Sequence, residues 1–194
     1  MQFEVLKKER IFNEFFKIDR VDLKHEKFDN DEWIHVRRYH MNRPDAVAIV
    51  LENVETKKII LVDQFRYASL KQSERNGWLL EIVAGLIDHG ETPEECARRE
   101  IMEETGFQVG TLKKITTYFP SAGISDERVH LFYAQVDNSC KIAPGGGVQD
   151  EQEDLAILEV EFNELLDQIE DGTIVDGKTI VGLQWLALHQ RSRN

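Results

Sequence analysis

Cysteine is scarce in this chain: Cys96 and Cys140 are the two in 194 residues. They lie far apart and form no metal-binding or redox motif, a pattern that suits reduced thiols in the cytoplasm. No run of about 18 apolar residues occurs, so nothing reads as a membrane-spanning helix. The opening stretch, Met1 to Arg10, is charged and lacks the apolar core of a signal peptide. Internal repeats and low-complexity tracts are missing as well. Positive charge is in deficit, with 24 Lys and Arg against 36 Asp and Glu and a net charge of −12. Such a balance argues against binding nucleic acid or an anionic membrane through bulk electrostatics.

The acidic excess is local. From Asp137 to Asp171 there are 11 acidic residues and one basic residue, Lys141, whereas residues 1–45 carry ten of each sign. An acidic surface serves solubility, but an acidic protein that handles phosphates would need cations, which raises a divalent metal as a candidate. Apolar residues make up 41% of the chain, enough for a packed core. The length fits one domain, or one domain with a substantial extension.

Along the chain, residues 1–43 mix strand-like stretches (Ile11 to Phe16, Glu32 to Tyr39) with charged turns, and read as a β-rich N-terminal segment. Residues 44–194 form the main domain. Strands are expected at Ala46 to Leu51, Lys58 to Val62, Leu79 to Val83, Leu112 to Tyr118, Val129 to Val136 and Ala156 to Val160. Helices are expected at Thr92 to Thr105, Glu164 to Asp171 and Lys178 to Gln190. Many strands and few helices make this an α+β fold rather than a regular alternating array.

The first helix has a clear start and stop. Thr92 is an N-cap, Pro93 suits the first helical position, Glu95 completes a capping box, and Gly106 supplies the left-handed residue that ends it. Its faces are unusual. At 100° per residue, Glu100 and Glu104 point the same way as Cys96 and Ala97, with Glu103 at one margin. Carboxylates gathered on the core-facing side cost stability unless cations neutralise them, and a hard divalent ion is the natural compensation; a ladder of solvated charges is the alternative that helix geometry leaves equally open. On the outer side, Glu95, Arg99 and Glu103 are spaced for a salt-bridge ladder.

From Gly85 to Phe107 the chain reads GLIDHGETPEECARREIMEETGF. This resembles the Nudix box at every defining position: Gly85, Glu91, Arg99, Glu100, apolar Ile101, Glu103, Glu104, Gly106 and apolar Phe107. The resemblance implies a mixed β-sheet sandwiched between α-helices, with the box as a loop, a helix and a loop. It implies Glu100, Glu104 and the carbonyl of Ala84 as metal ligands, and Glu103 as a helper acting directly or through water. Arg99 would orient the glutamates, while Gly85, Glu91 and Gly106 would shape the box. The implied cofactor is magnesium, with manganese able to substitute.

Residues outside the box resemble the branch that hydrolyses nucleoside diphosphate sugars, the ADP-ribose and GDP-mannose pyrophosphatases. Gln64-Phe65-Arg66 and Trp78-Leu79-Leu80-Glu81 carry that likeness. Arg66 would contact phosphate and Glu81 would accept hydrogen bonds near the metal or sugar; a surface ion pair is the plainer alternative for each. Ala122 stands where ADP-ribose enzymes usually have proline, whereas Gly145 to Leu155 and Asp176-Gly-Lys-Thr179 resemble the GDP-mannose enzymes more. Glu153, or its rival Glu151, would be the general base, on a loop to which Gly145 to Gly147 lend flexibility. Trp33 and Phe28 are candidates for stacking on the base, with core packing as the alternative. The resemblance also implies a homodimer formed through residues 1–43. Two further readings are a house-cleaning hydrolase of nucleoside triphosphates and a non-catalytic nucleotide-sugar sensor. Sensors usually lose box glutamates, and this chain keeps them.

Overall fold

Every side chain from Val47 to Leu51 is buried, a pattern that fits a strand covered on both faces. This strand, β4 (Ala46–Asn53), is central to the architecture. The structure, a computed structural model, describes residues 1–30, 32–71 and 74–191, with the side chains of Glu151 and Arg191 outside that description. Three strands, β1 (Phe3–Asn13), β2 (Lys17–Glu26) and β3 (Trp33–Asn42), precede β4. After it come β5 (Lys58–Phe65), β6 (Trp78–Glu81), β7 (Val83–Leu86), β8 (Leu112–Tyr118), β9 (Val129–Val136) and β10 (Ala156–Glu161). The helices are α1 (Pro93–Glu100), α2 (Phe162–Glu170) and α3 (Gly177–Arg191).

The chain divides into two compact units, Met1–Asp45 with Phe119–Arg128, and Ala46–Tyr118 with the chain from Val129 on. The larger unit holds a mixed sheet in the order β10-β5-β4-β9-β8, with β6 on β5 and β7 on β4. β4 runs parallel to β9 and antiparallel to β5 and β7. Alternate residues of these strands supply two cores. Val47, Ile49, Leu51 and Phe132 pack with Cys96, Ala97 and Ile101 on one face. Ala48, Val50, Leu61 and Leu131 pack with Leu165 of α2 and Leu183 and Leu186 of α3 on the other. A mixed sheet between helices results, as the sequence implies.

The stretch expected as one strand from Leu79 to Val83 is divided at Ile82. Its N–H bonds not to a neighbouring strand but to the Thr179 hydroxyl of α3, at 2.9 Å. Thr179 is fully buried and donates in turn to Asp176 at 2.6 Å. This tertiary bond satisfies a buried donor and anchors the N-terminal end of α3 at the strand break.

In the smaller unit, β1, β2 and β3 form an antiparallel meander. Residues 119–128 join it: the Met41 N–H donates to the Ile124 carbonyl at 2.7 Å, and Asn42 Nδ2 to Asp126 at 2.6 Å. Asp19 is buried there between Arg10 and Lys8. Among the described residues, no helix is long and apolar enough to cross a membrane.

Candidate active site

Helix α1 begins as its capping box dictates. Thr92 Oγ1 accepts from the Glu95 N–H at 3.3 Å, and the Glu95 carboxylate accepts from the Thr92 N–H at 2.8 Å. Glu95 is thereby engaged at the helix start, and the expected ladder of Glu95, Arg99 and Glu103 does not form as drawn. Arg99 instead reaches Glu91 (2.9 and 3.1 Å), Glu100 (2.8 Å), Glu103 (2.9 Å) and the Leu86 carbonyl (3.2 Å). Its planar fork allows this multiple bonding. The Arg99 hydrogen bonds hold the Glu91 carboxyl down at about 2.

From Ile101 to Thr105 the helix widens into a π-turn, and Gly106 ends it at φ 72°. The Thr105 hydroxyl donates to the Ile101 carbonyl inside that turn. Such widened turns are frequent at functional sites. This one lies where Glu103 and Glu104 leave the helix.

Glu100 and Glu104 are buried, at 7% and 1% exposure. Burial pushes the Glu100 carboxyl up to about 7, helped by the charges of Glu103 and Glu153 and opposed by Arg99. The Glu104 carboxyl is likewise raised well above its ordinary range, by burial and then by Glu100 and Glu153, although the Ala84 N–H bonds to it. Its Oε2 has no hydrogen-bond partner. Gly85 on β7 leaves the space that Glu100 occupies, since a Cβ there would lie 1.8 Å from Glu100 Oε1. Buried oxygen donors, one of them unpartnered, fit a hard divalent cation.

A second cluster adjoins these carboxylates. Glu81, 2% exposed, receives both arms of Arg66 at 2.9 and 2.8 Å and the ammonium of Lys178 at 2.6 Å. Lys178 also lies 3.1 Å from Asp176. Burial works against the Glu81 charge, but Arg66 and Lys178 prevail and hold its carboxyl below the ordinary range. Glu104 is close enough that its charge acts on Arg66 and Lys178 acts on it. Arg66 and Glu81 are thus paired, in a network of four charges centred on the buried Glu81.

The loop after β9 closes over the end of the π-turn. The N–H groups of Gly146 and Gly147 donate to the carbonyls of Glu104 and Glu103 at 2.8 and 3.1 Å. Gly145, at φ +70°, packs so tightly that a Cβ would lie 2.5 Å from the Thr105 carbonyl carbon. In this structure these glycines permit close packing of the loop against the helix end. Glu153 follows, its carboxylate accepting from the Val148 N–H at 3.3 Å, and its charge acts on both Glu100 and Glu104.

A family model described as the NUDIX domain matches residues 42–190. The chain belongs to the Nudix family. Among curated relatives, GDP-mannose pyrophosphatase of Cronobacter sakazakii is 34% identical over 188 residues, covering 97% of this chain and 96% of that protein. GDP-mannose pyrophosphatase of Escherichia coli is 34% identical over 187 residues, covering 96% of each. A crystal structure of an ADP compounds hydrolase superposes with a TM-score of 0.76 at 23% identity, covering 100% of this chain and 97% of that one; this likeness carries the fold alone. As a Nudix protein the chain is a pyrophosphohydrolase, of a family that generally requires a divalent metal.

Of the site residues expected from sequence, Ala84, Gly85, Glu91, Arg99, Glu100, Glu103, Glu104, Arg66, Glu81 and Glu153 all lie in the larger unit. Trp33 and Phe28 belong to the smaller one. There Trp33 lies under Lys24, with the ammonium 4.9 Å from the ring centroid, and Phe28 is 87% exposed. Glu151 ends the short turn Gln149–Glu151, and its side chain is outside the described residues. Sequence reasoning did not single out Lys178, which the structure places on Glu81. A signal was there: a lysine in the first turn of a helix opposes the helix dipole, which asks for a local carboxylate partner.

Proposed function

We propose that this protein hydrolyses the diphosphate linkage of a nucleoside diphosphate sugar, with GDP-mannose as the first candidate, giving a nucleoside monophosphate and a sugar phosphate. The observation that carries the reading is the buried pair Glu100 and Glu104 beside the Arg66–Glu81–Lys178 cluster. Carboxylates for a metal and cations for a diphosphate meet there. Full-length likeness to proteins named GDP-mannose pyrophosphatase supports the substrate.

In this reading Glu100, Glu104 and the Ala84 carbonyl hold magnesium, which manganese could replace, with Glu103 assisting. Among the described residues no three His, Cys, Asp or Glu side chains form a ready-made metal cage, so diphosphate oxygens and water would complete the shell. When bound, a divalent ion offsets diphosphate charge and acidifies water. Arg99 fixes the rotamers of Glu100 and Glu103. Arg66, held by Glu81 yet 41% exposed, and Lys178 direct N–H groups at phosphate oxygens. Glu153, with Glu151 as the rival, accepts the proton as water attacks one phosphorus and the bridging P–O bond breaks.

The smaller unit is proposed to make a homodimer and to lend Trp33 and Phe28 to the nucleobase. Its first strand leaves Phe3 74%, Val5 50% and Leu6 49% exposed, an apolar edge that asks for cover. Both cysteines are free, consistent with work in the cytoplasm.

The test is product analysis with magnesium on GDP-mannose, ADP-ribose and a deoxynucleoside triphosphate, with Glu104→Gln as control. Cleavage of GDP-mannose to GMP and mannose 1-phosphate, lost in the variant, is expected. Cleavage of the triphosphate alone would overturn the assignment.

A further inference from the structure

Lys141 is the single basic residue between Asp137 and Asp171, and its ammonium is directed at main-chain carbonyls. It donates to the Thr105 carbonyl at 2.7 Å and to the Pro144 carbonyl at 3.2 Å. The first lies in the π-turn that carries Glu103 and Glu104; the second opens the glycine loop. The same ammonium stands 5.1 Å from the centroid of the Phe107 ring. A cation suits this place, because the carbonyls at a helix C-terminus carry partial negative charge.

Beyond Lys141 the main chain stays bonded to the turn. Ile142 and Ala143 donate to the Gly106 carbonyl at 2.9 and 3.2 Å, and Gly146 and Gly147 donate to Glu104 and Glu103. The loop then folds on itself: Glu153 N–H donates to the Val148 carbonyl at 3.2 Å, and Leu155 N–H to the Gly146 carbonyl at 3.1 Å. Gly147 packs so closely that a Cβ there would lie 2.6 Å from Glu153 Cβ. A continuous path of bonds and contacts therefore runs from Lys141 to Glu153.

We infer that Lys141 is a positioning residue: it staples the loop bearing Glu153 to the end of the helix bearing Glu100 and Glu104, and so sets the base against the reacting water. The inference rests on the reading of Glu153 as general base. Lys141 touches no substrate in it. Its part is to hold a distance, and misplacement by about 1 Å can cost orders of magnitude in rate.

The experiment is a double-mutant cycle on the full-length enzyme. Lys141→Met keeps an unbranched side chain and removes the donor. It should lower kcat about tenfold while KM for the nucleotide sugar and the magnesium dependence stay within about twofold, and Lys141→Arg should recover most of the loss. In a Glu153→Gln background, Lys141→Met should lower kcat no further. An unimpaired Lys141→Met enzyme beside a crippled Glu153→Gln enzyme overturns the inference alone. So does an equal tenfold loss in both backgrounds, which would mark Lys141 as structural. A Glu153→Gln enzyme at the wild-type rate removes the base assignment, and the inference with it.

Discussion

Gly85 stands where its own Cβ would lie 1.8 Å from Oε1 of Glu100. The glycine on β7 is therefore the space that a buried carboxylate fills. In Gly85→Ala the methyl meets the far end of a flexible side chain, so the fold should survive while Glu100 swings away. We expect kcat/KM to fall by about 100-fold or more, with a melting temperature close to wild type. Steady-state kinetics and calorimetry check both halves. Full activity in this variant would mean that the position of Glu100 is immaterial.

Arg99 binds three carboxylates and a carbonyl at once. A lysine in its place offers one point charge and cannot span them. Arg99→Lys should cost about 1–3 kcal/mol in urea unfolding and lower activity as Glu100 and Glu103 lose their common tether. Unchanged stability would show the fork to be dispensable.

Metal removal and pH should interact through Glu100. Its carboxyl rises from 4.5 in the unfolded chain to about 7 in the metal-free fold, so the folded state holds the proton more tightly. Metal-free stability is then greatest below 4.5 and declines as pH rises through about 7, by up to about 3 kcal/mol. Glu104 acts in the same direction. Glu91, held at about 2, acts below this window. Urea melts in EDTA at roughly pH 5.5 and 8 should show the decline, a divalent cation should reverse it, and Glu100→Gln should shrink it to the part that Glu104 contributes. Metal-free stability that rises with pH across this range would contradict the assignment.

Thr179 carries the bond that fills the break between β6 and β7. Thr179→Val keeps the shape but strands the buried Ile82 N–H and takes one donor from the Asp176 carboxylate, which keeps the Thr179 N–H and Lys178. The expected cost is about 2–3 kcal/mol, with Thr179→Ser restoring most of it in denaturant melts. A neutral Thr179→Val would indicate that water replaces the hydroxyl.

Much of this architecture was legible beforehand where local rules operate. The capping box of Thr92 and Glu95 marked the start of α1, the runs from Leu112 and Val129 marked β8 and β9, and the box spacing placed Glu100 and Glu104 on a core-facing side. Other features were not legible, because several partners compete for one group. Arg99 had Glu95 and Glu103 within helical reach, yet Glu95 was engaged by Thr92, and folding of the box loop brought Glu91 closer. Gly145 to Gly147 suggested a pliant loop, but not that their small size would also let the loop pack on the helix end. Lys178 is 97 residues from Glu81, so no window of sequence could pair them.

By itself, then, the sequence determined the class of fold, the helix that bears the acidic residues and the chemistry for which those acids are suited. These follow from periodicity, capping and spacing, which act over a few residues. Only the tertiary structure decided that Glu81 would bind Arg66 and Lys178 together, that Ile82 would bond to Thr179, and that the loop of Glu153 would be fastened to the helix of Glu104. Those choices depend on which polar groups lose water together when the sheet is covered. A buried group must take the partner that the packing brings within reach.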